Sequence, residues 1–389
     1  MQNTLPTSNN EFRQYLRNWL EEHYVLFKES WTSSKSHANI GYRRAWEDYL
    51  CGQGWSALGW PKKYGGHELD ILKQAIFHEE LARAQTPLGV NLIGHGILAP
   101  TLLKFGTEEQ KQRFLPGIRL NTDIWCQGYS EPSAGSDLAS VRTRALKKGN
   151  KYILNGHKIW TSFADHADWC FVLSRTNPDS TRHRGLSFLL VNMKQPGVRV
   201  EPIRQLTGYS DFCEVFFEDV EVDEHNILGK EDEGWKIAMA AASFERGTYF
   251  IPRLVKFRQE LQKVKTLVTH TIDTGTDCHM EQSRLQNKWA RLAIDSHVLQ
   301  LKSQRALDNV ISGAPPGPEG SSTKIHWSEA HQDLLEFAMS IIHDSPNDIA
   351  TEMELEYSYL WSRAETILAG TSEIQRNIIA ERLLGLPRV

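Results

Sequence analysis

Two stretches about twenty residues apart carry side chains that could hold a nucleotide cofactor. Trp125-Cys-Gln-Gly-Tyr-Ser-Glu-Pro-Ser-Ala-Gly-Ser-Asp137 contains Pro132 and Gly135, which force a turn, and Ser130 and Ser136, whose hydroxyls stand beside bare backbone N–H groups. Phosphates and polar ring edges require such donors. Gly156-His-Lys-Ile-Trp-Thr-Ser162 puts an indole and two hydroxyls on an expected strand, just after an Asn155-Gly156 turn. A third stretch, Ser243-Phe-Glu-Arg-Gly247, offers a carboxylate at Glu245. The residues three and four positions away are Ala241, Ala242, Thr248 and Tyr249, so no cation stands ready for a surface pair. An apolar wall of this kind would raise the carboxyl pKa toward that of a working base once a ligand displaced water. On its local pattern alone, Glu245 fits a solvated helix residue equally well.

Other chemistries lack their signatures. No G-x-G-x-x-G opens a helix after a strand and no G-K-[ST] occurs, so neither a nicotinamide fold nor a phosphate-binding loop is indicated. No metal site is expected: no His/Cys/Asp cluster has ligand spacing, and His78-Glu79-Glu80 lacks the second histidine of a zinc helix. A net charge of −4 spread without blocks argues against nucleic acid as a partner. The amino terminus shows neither a basic leader nor an apolar core, and the longest apolar run, Ile237 to Ala242, is far short of the ~18 residues of a membrane span. Five scattered cysteines (Cys51, Cys126, Cys170, Cys213, Cys278) read as buried free thiols in a reducing compartment, hence the cytoplasm.

The elements that must position these residues follow from periodicity. At 389 residues the chain should form two or three domains. Residues 1–120 read as helices. Ser8 with Glu11 caps the first, with Phe12, Tyr15, Leu16, Trp19 and Leu20 as its apolar stripe. Ile71 to Arg83 forms another. Thr107 with Gln110 caps a third, which Pro116 should end. Over 121–230 the period drops to two, with turns at Lys148-Gly149-Asn150, Asn155-Gly156 and Gln195-Pro196-Gly197, which predicts an antiparallel, barrel-like β domain. Over 231–389 helices return: Trp235 to Val268 as one long segment, Arg284 to Val310, Ser328 to Ile342, and a last helix capped by Ser372 with Gln375. The fold class is α+β multidomain, in the order α, β, α.

The two stretches resemble the first and second signatures of the acyl-CoA dehydrogenase family. Ala369-Gly-Thr-Ser-Glu-Ile-Gln-Arg376 resembles its C-terminal signature. The resemblance implies a helical N-terminal domain, a β middle domain and a C-terminal four-helix bundle, with FAD as cofactor. It implies a cofactor shell of Gln127, Tyr129, Ser130, Gly135, Ser136, Trp160, Thr161, Ser162, Arg284, Thr371 and Glu373, with Trp160 beside the flavin ring and Ser162 near its N5. Ser136 and Arg246 would also meet substrate.

Many family members place the base immediately before the C-terminal Gly-Thr, where this chain has Ala369. Others carry it in a motif similar to Ser243-Phe-Glu-Arg-Gly247, which makes Glu245 the candidate catalytic base for α,β-dehydrogenation of an acyl-CoA thioester. Electrons would pass to an electron-transferring flavoprotein. The family's A-R-x-x-F-G stretch is replaced by Gln282-Ser-Arg284-Leu285, and a later glycine pair is missing from 341–347. The assembly is therefore expected as a homo-oligomer (dimer or tetramer) or as a hetero-oligomer with a related subunit. Two alternatives stand beside this reading: a non-catalytic FAD-holding subunit of a mixed complex, and an oxygen-using oxidase or hydroxylase on the same scaffold.

Overall fold

The computed structural model describes residues 5–32, 39–245, 250–275, 278–313, 317–342 and 349–387. Contacts gather the chain into two compact units, Met1–Phe77 with Ala84–Arg246, and His78–Arg83 with Gly247–Val389.

In the first unit, α1 (Asn9–Ser30) starts where the Ser8 hydroxyl accepts a hydrogen bond from the Glu11 N–H, at 3.3 Å. It buries Phe12, Leu16, Leu20, Tyr24 and Phe27 at helical spacing, while the predicted stripe members Tyr15 and Trp19 lie half-buried on its flank. α2 (Ile40–Gly52) and α3 (Ile71–Arg83) follow, the latter over the predicted range and with its last residues, His78–Arg83, belonging to the second unit. A π-helical turn at Gly94–Leu98 leads into α4 (Ala99–Phe105). α5 (Glu108–Arg119) opens on the reciprocal capping box of Thr107 and Gln110 and continues through Pro116, which was expected to end it. Proline forfeits one N–H bond but its φ is helical, so one more turn closes, with the Leu120 N–H bonding back to the Pro116 carbonyl at 3.0 Å.

The β domain contains β1 (Trp125–Gly128), β2 (Arg144–Lys148), β3 (Lys151–Ser162), β4 (Trp169–Arg175), β5 (Leu186–Asn192), β6 (Val198–Ile203), β7 (Phe212–Asp223) and β8 (Ile227–Leu228). They form one sheet in the order β6-β7-β3-β2-β4-β5-β8, with β1 beside β4. The sheet is mixed rather than purely antiparallel, because β1 and β2 both run parallel to β4. The chain leaves β1, makes the β2–β3 hairpin and re-enters alongside β1 in the same direction.

Asn155-Gly156, read as a turn, lies inside β3. There the pairing with β7 slips by one residue between Leu154 and Gly156, a bulge. Long-range pairing with a twelve-residue partner strand overrides the local Asn-Gly preference. A Cβ on Gly156 would lie 2.6 Å from the Thr143 Cβ and 2.3 Å from its Oγ1. Gly156→Ala is accordingly expected to destabilise the protein by about 1–3 kcal/mol, seen as a lower denaturant midpoint at unchanged slope; an unchanged midpoint would mean that Thr143 gives way freely. α6 (Gly234–Glu245) then lays Ile237, Ala238 and Ala241, all at 0% exposure, into the core shared with Ile97 and Leu98 of the π-turn and Phe188 of β5.

In the second unit, α7 (Ile251–Gly275), α8 (His279–Ile311), α9 (Glu319–Ile341) and α10 (Ile349–Ser362) surround a core that includes Phe257, Leu261, Leu292, Leu299, Trp327, Leu334 and Leu355. The single segment predicted from Trp235 to Val268 is instead two helices, α6 and α7, with 246–249 outside the described residues. α11 (Ser372–Ile378) is capped by Thr371 rather than Ser372, the Thr371 hydroxyl accepting from the Ile374 N–H at 3.2 Å. Four cysteines are buried as expected, but Cys278, just before α8, is exposed. Among the described residues no helix is long and apolar enough to cross a membrane, and no three His, Cys, Asp or Glu side chains are grouped to hold a metal ion.

Candidate functional site

The first two stretches meet along one edge of β3. The Ile159 N–H donates to the Ser130 carbonyl at 2.9 Å, a backbone bond directly between them. Next to it the Lys158 ammonium, fully buried, donates to the Tyr129 carbonyl and to Glu131 Oε1, both at 2.9 Å. Glu131 also accepts the backbone N–H groups of Arg142 and Thr143, at 2.7 and 2.8 Å. One carboxylate thus anchors the strap from Tyr129 to Thr143 at both ends, and one lysine ties it to β3. Pro132 and Ser133 make the tip of a tight turn closed by paired Glu131 and Ala134 backbone bonds.

Burial raises the Glu131 carboxyl, but the Lys158 charge, then the Arg142 N–H, outweigh it and hold the group below the usual carboxylate range. Lys158 is lowered from its ordinary value by desolvation, with Glu131 opposing. Glu131 and Lys158 were seen in the sequence only as letters of the signatures. The available signal was a lysine at the buried parity of a strand, where only a paired charge is tolerated.

A second slip of the β3–β7 register, between Lys158 and Thr161, is where the indole is aimed. Trp160 sits at φ +60 with 56% of its surface exposed and meets Phe212 edge-on at 6.2 Å. A bulge of this type re-aims one side chain without breaking the strand. Ser162 is half-buried beside it, whereas Thr161 turns into the core at 0% exposure, its hydroxyl oxygen buried without a hydrogen-bond partner. Gln127 on β1 is half-buried, and the Tyr129 ring packs edge-on against Phe171 and Phe188, at 5.9 and 5.5 Å. Gly135 and Ser136 are exposed.

In the second unit, Thr371 caps α11 and Glu373 is exposed in its first turn. The Glu373 carboxyl is held below its usual range by its own backbone N–H and by Thr371. Arg284 on α8 is engaged with Glu281 one turn earlier, at 2.6–3.0 Å. Ala369 is left-handed, at φ +54, followed by Gly370 at φ +87. α6 ends at Glu245, whose side chain, like all of Arg246, lies outside the described residues.

Domain models of the acyl-CoA dehydrogenase family match residues 6–119 (N-terminal domain), 126–220 (middle domain) and 232–384 (C-terminal domain). The chain belongs to this family: it is an FAD-dependent acyl-CoA dehydrogenase, an oxidoreductase. It is 42% identical over 386 residues to a Mycobacterium tuberculosis protein named acyl-CoA dehydrogenase IpdE1, covering 97% of this chain and 98% of that one. Among solved structures it resembles the ChsE4-ChsE5 complex of Mycobacterium tuberculosis (TM-score 0.80, 29% identity, all of both chains covered). The Tcur3481-Tcur3483 steroid ACAD is similarly close (TM-score 0.80, 27% identity, all of both chains covered).

The residues present fit FAD. Gly135 has no left-handed φ, and a Cβ there would meet no protein atom within 4 Å, so the chain itself does not require glycine and the position is open to close approach by a ligand. Ser130, Ser136 and Ser162 keep their hydroxyls free of protein partners among the described residues, and the bulge leaves the Trp160 indole 56% exposed, two residues before Ser162.

Proposed function

We propose that this chain α,β-dehydrogenates an acyl-CoA thioester, with Glu245 as the base that takes the proton from the carbon next to the thioester carbonyl. The observation that carries the reading is Ala369: the position before Gly370-Thr371, where many family members have a glutamate, holds a methyl group on a left-handed residue, and a methyl group cannot accept a proton. The candidate carboxylate is then Glu245, the last residue of α6, which the sequence sets four positions after Ala241. An apolar setting favours the neutral acid, which brings a glutamate nearer the pKa a base needs at neutral pH.

Gln127, Tyr129, Ser130, Gly135, Ser136, Trp160, Thr161 and Ser162 of the β domain are the proposed flavin-binding residues, as are Arg284, Thr371 and Glu373 of the helical domain. When bound, the flavin supplies the electron acceptor of the oxidation. The chain's own part is to orient the acyl group, exclude water and remove the proton. Ser136 and Arg246 would contact substrate. We keep 1–120, 121–230 and 231–389 as the functional division of the chain, and the cytoplasm as its compartment.

A bulky, steroid-derived acyl group is the favoured substrate class, because one similar structure is named a steroid ACAD. A related second subunit is the favoured partner over a homodimer or homotetramer. Both similar structures carry two protein names, and the glycine pair expected near 341–347 is absent from the sequence. An electron-transferring flavoprotein is the proposed acceptor. Ala369 also suits a second reading, an FAD-holding subunit without catalysis of its own. Anaerobic addition of straight-chain, branched and steroid-derived acyl-CoAs to the flavin-loaded protein separates these readings. Bleaching that persists when air is admitted is expected of the dehydrogenase. No bleaching with any thioester indicates the non-catalytic subunit, and rapid recolouring in air an oxidase.

A further inference from the structure

The second unit buries a charged cluster that the chemistry above does not use. His331 on α9 is 3% exposed and has a carboxylate at each ring nitrogen: Glu260 of α7 lies 2.6 Å from Nε2, and Glu365 lies 2.7 Å from Nδ1. Both acids are buried, at 1% and 2% exposure. Trp327 stacks on the imidazole and Phe257 meets it edge-on, each at 5.9 Å, which closes the site to water. Among the described residues the other charge facing the cluster is Lys256, 3.5 Å from Glu260 Oε1, and the Ser358 hydroxyl of α10 also faces Glu260. Two ionised carboxylates can both accept from one imidazole only if both its nitrogens carry protons, so the geometry selects the imidazolium. Two cations against two anions make the cluster neutral.

Glu365 is not on a helix of the bundle. It lies in the irregular turn that leads from α10 to Ala369, Gly370 and Thr371. That turn is held at a few points. Gln332, the next residue of α9, donates to the Ser362 carbonyl at 2.7 Å. The Ser372 N–H bonds the Thr366 carbonyl at 2.9 Å, and Gln375 donates to the Ala369 carbonyl at 2.7 Å. The other ties from α9 are Gln332 to Thr366 Oγ1 at 3.3 Å, Arg363 to Glu336 at 2.8 Å, both partly exposed, and the buried ion pair of Glu365 with His331.

We propose that His331 is a positioning residue: as an imidazolium bridging Glu260 and Glu365, it locks the 362–371 turn and so sets the backbone of Ala369, Gly370 and Thr371. The functional meaning of that lock rests on the reading that this segment meets the flavin; the lock itself does not.

Burial alone would lower the His331 pKa, but the Glu260 and Glu365 charges outweigh it and raise it to about 9. Glu260 is pushed down to about 2: burial opposes, and Lys256, then His331, prevail. A raised histidine contributes stability that is fully present below its ordinary pKa of ~6.5 and is lost as pH rises through about 9. Above that pH one ring nitrogen presents a lone pair to a carboxylate, and Glu365 is released.

The test is hydrogen–deuterium exchange of the ligand-free protein across pH 7.5 to 10.5, corrected for the intrinsic rate, with no acyl-CoA or flavin present. Backbone amides of 362–371 are expected to lose protection by roughly tenfold, the worth of one charge-assisted hydrogen bond, through a midpoint near pH 9, while α8 peptides stay protected. Glu365→Gln should abolish that midpoint, because its amide can turn and donate to the neutral imidazole that still donates to Glu260. A flat wild-type profile overturns the proposal even if the variant does not fold, and so does an unchanged midpoint in a folded Glu365→Gln protein.

Discussion

Glu245→Gln is expected to yield a protein that folds and keeps its flavin but reduces it with acyl-CoA roughly 10²–10⁴-fold more slowly, the usual contribution of a positioned general base. Glutamine preserves size and hydrogen bonding while removing basicity, so binding should change little and the proton-transfer step should carry the loss. The matching gain-of-function arm uses Ala369. Its left-handed backbone already has the strain that any non-glycine residue carries there, so Ala369→Glu adds a carboxylate without asking for a new φ. If both positions overlook the same substrate carbon, the double variant Glu245→Gln/Ala369→Glu recovers part of the lost rate. Single-turnover flavin reduction, with FAD content as the control, reads both effects. A Glu245→Gln protein that reduces flavin at the native rate would falsify the assignment of the base.

Local chemistry made a good part of this architecture legible in the sequence. Ser8 before Glu11 and Thr107 before Gln110 supply their own caps, and the apolar spacing of α3 needs no tertiary help, so those elements follow from short-range rules. Misreadings arose where distant partners decide. Asn155-Gly156 has the composition of a hairpin turn, but β7 offers a ladder long enough to absorb it as a bulge. The outward aim of Trp160 depends on a second slip in the same ladder, which only pairing reveals. Thr371 and Ser372 are both good caps, so the sequence left the helix start ambiguous by one residue. Cys278 is exposed because it lies just outside α8, beyond the reach of the helical core. For the candidate site, the approach of the two signatures could be expected from their resemblance. The ion pair that joins them could not, because Glu131 and Lys158 are 27 residues apart and no local pattern couples them.

That ion pair carries the second large effect. Lys158→Met is expected to cost about 3–5 kcal/mol of stability, because removing one partner of a buried pair leaves the other desolvated and unpaired. The lower half of the range is the closer expectation, since Glu131 retains two backbone donors, from Arg142 and Thr143. The loss should not stay local: the Tyr129 carbonyl also loses its donor, and the strap carrying Ser130, Gly135 and Ser136 is then tied to β3 through the Ser130–Ile159 bond. Weaker flavin retention at temperatures where the chain is still folded is the expected sign.

The double variant Lys158→Met/Glu131→Gln should recover part of the stability by removing the orphaned charge. Glu131 also fixes the pH dependence. Its folded pKa is held below the ordinary value, so the pair's contribution is present above that ordinary value and is lost as pH falls through the folded one. Without Lys158 the carboxyl is dominated by burial and takes a proton at higher pH, so acid should weaken wild type on acidification while changing the Lys158→Met variant less over the same interval. Thermal melts of both proteins from neutral to acid pH decide it: parallel stability curves would mean that Lys158 and Glu131 do not interact as a charged pair.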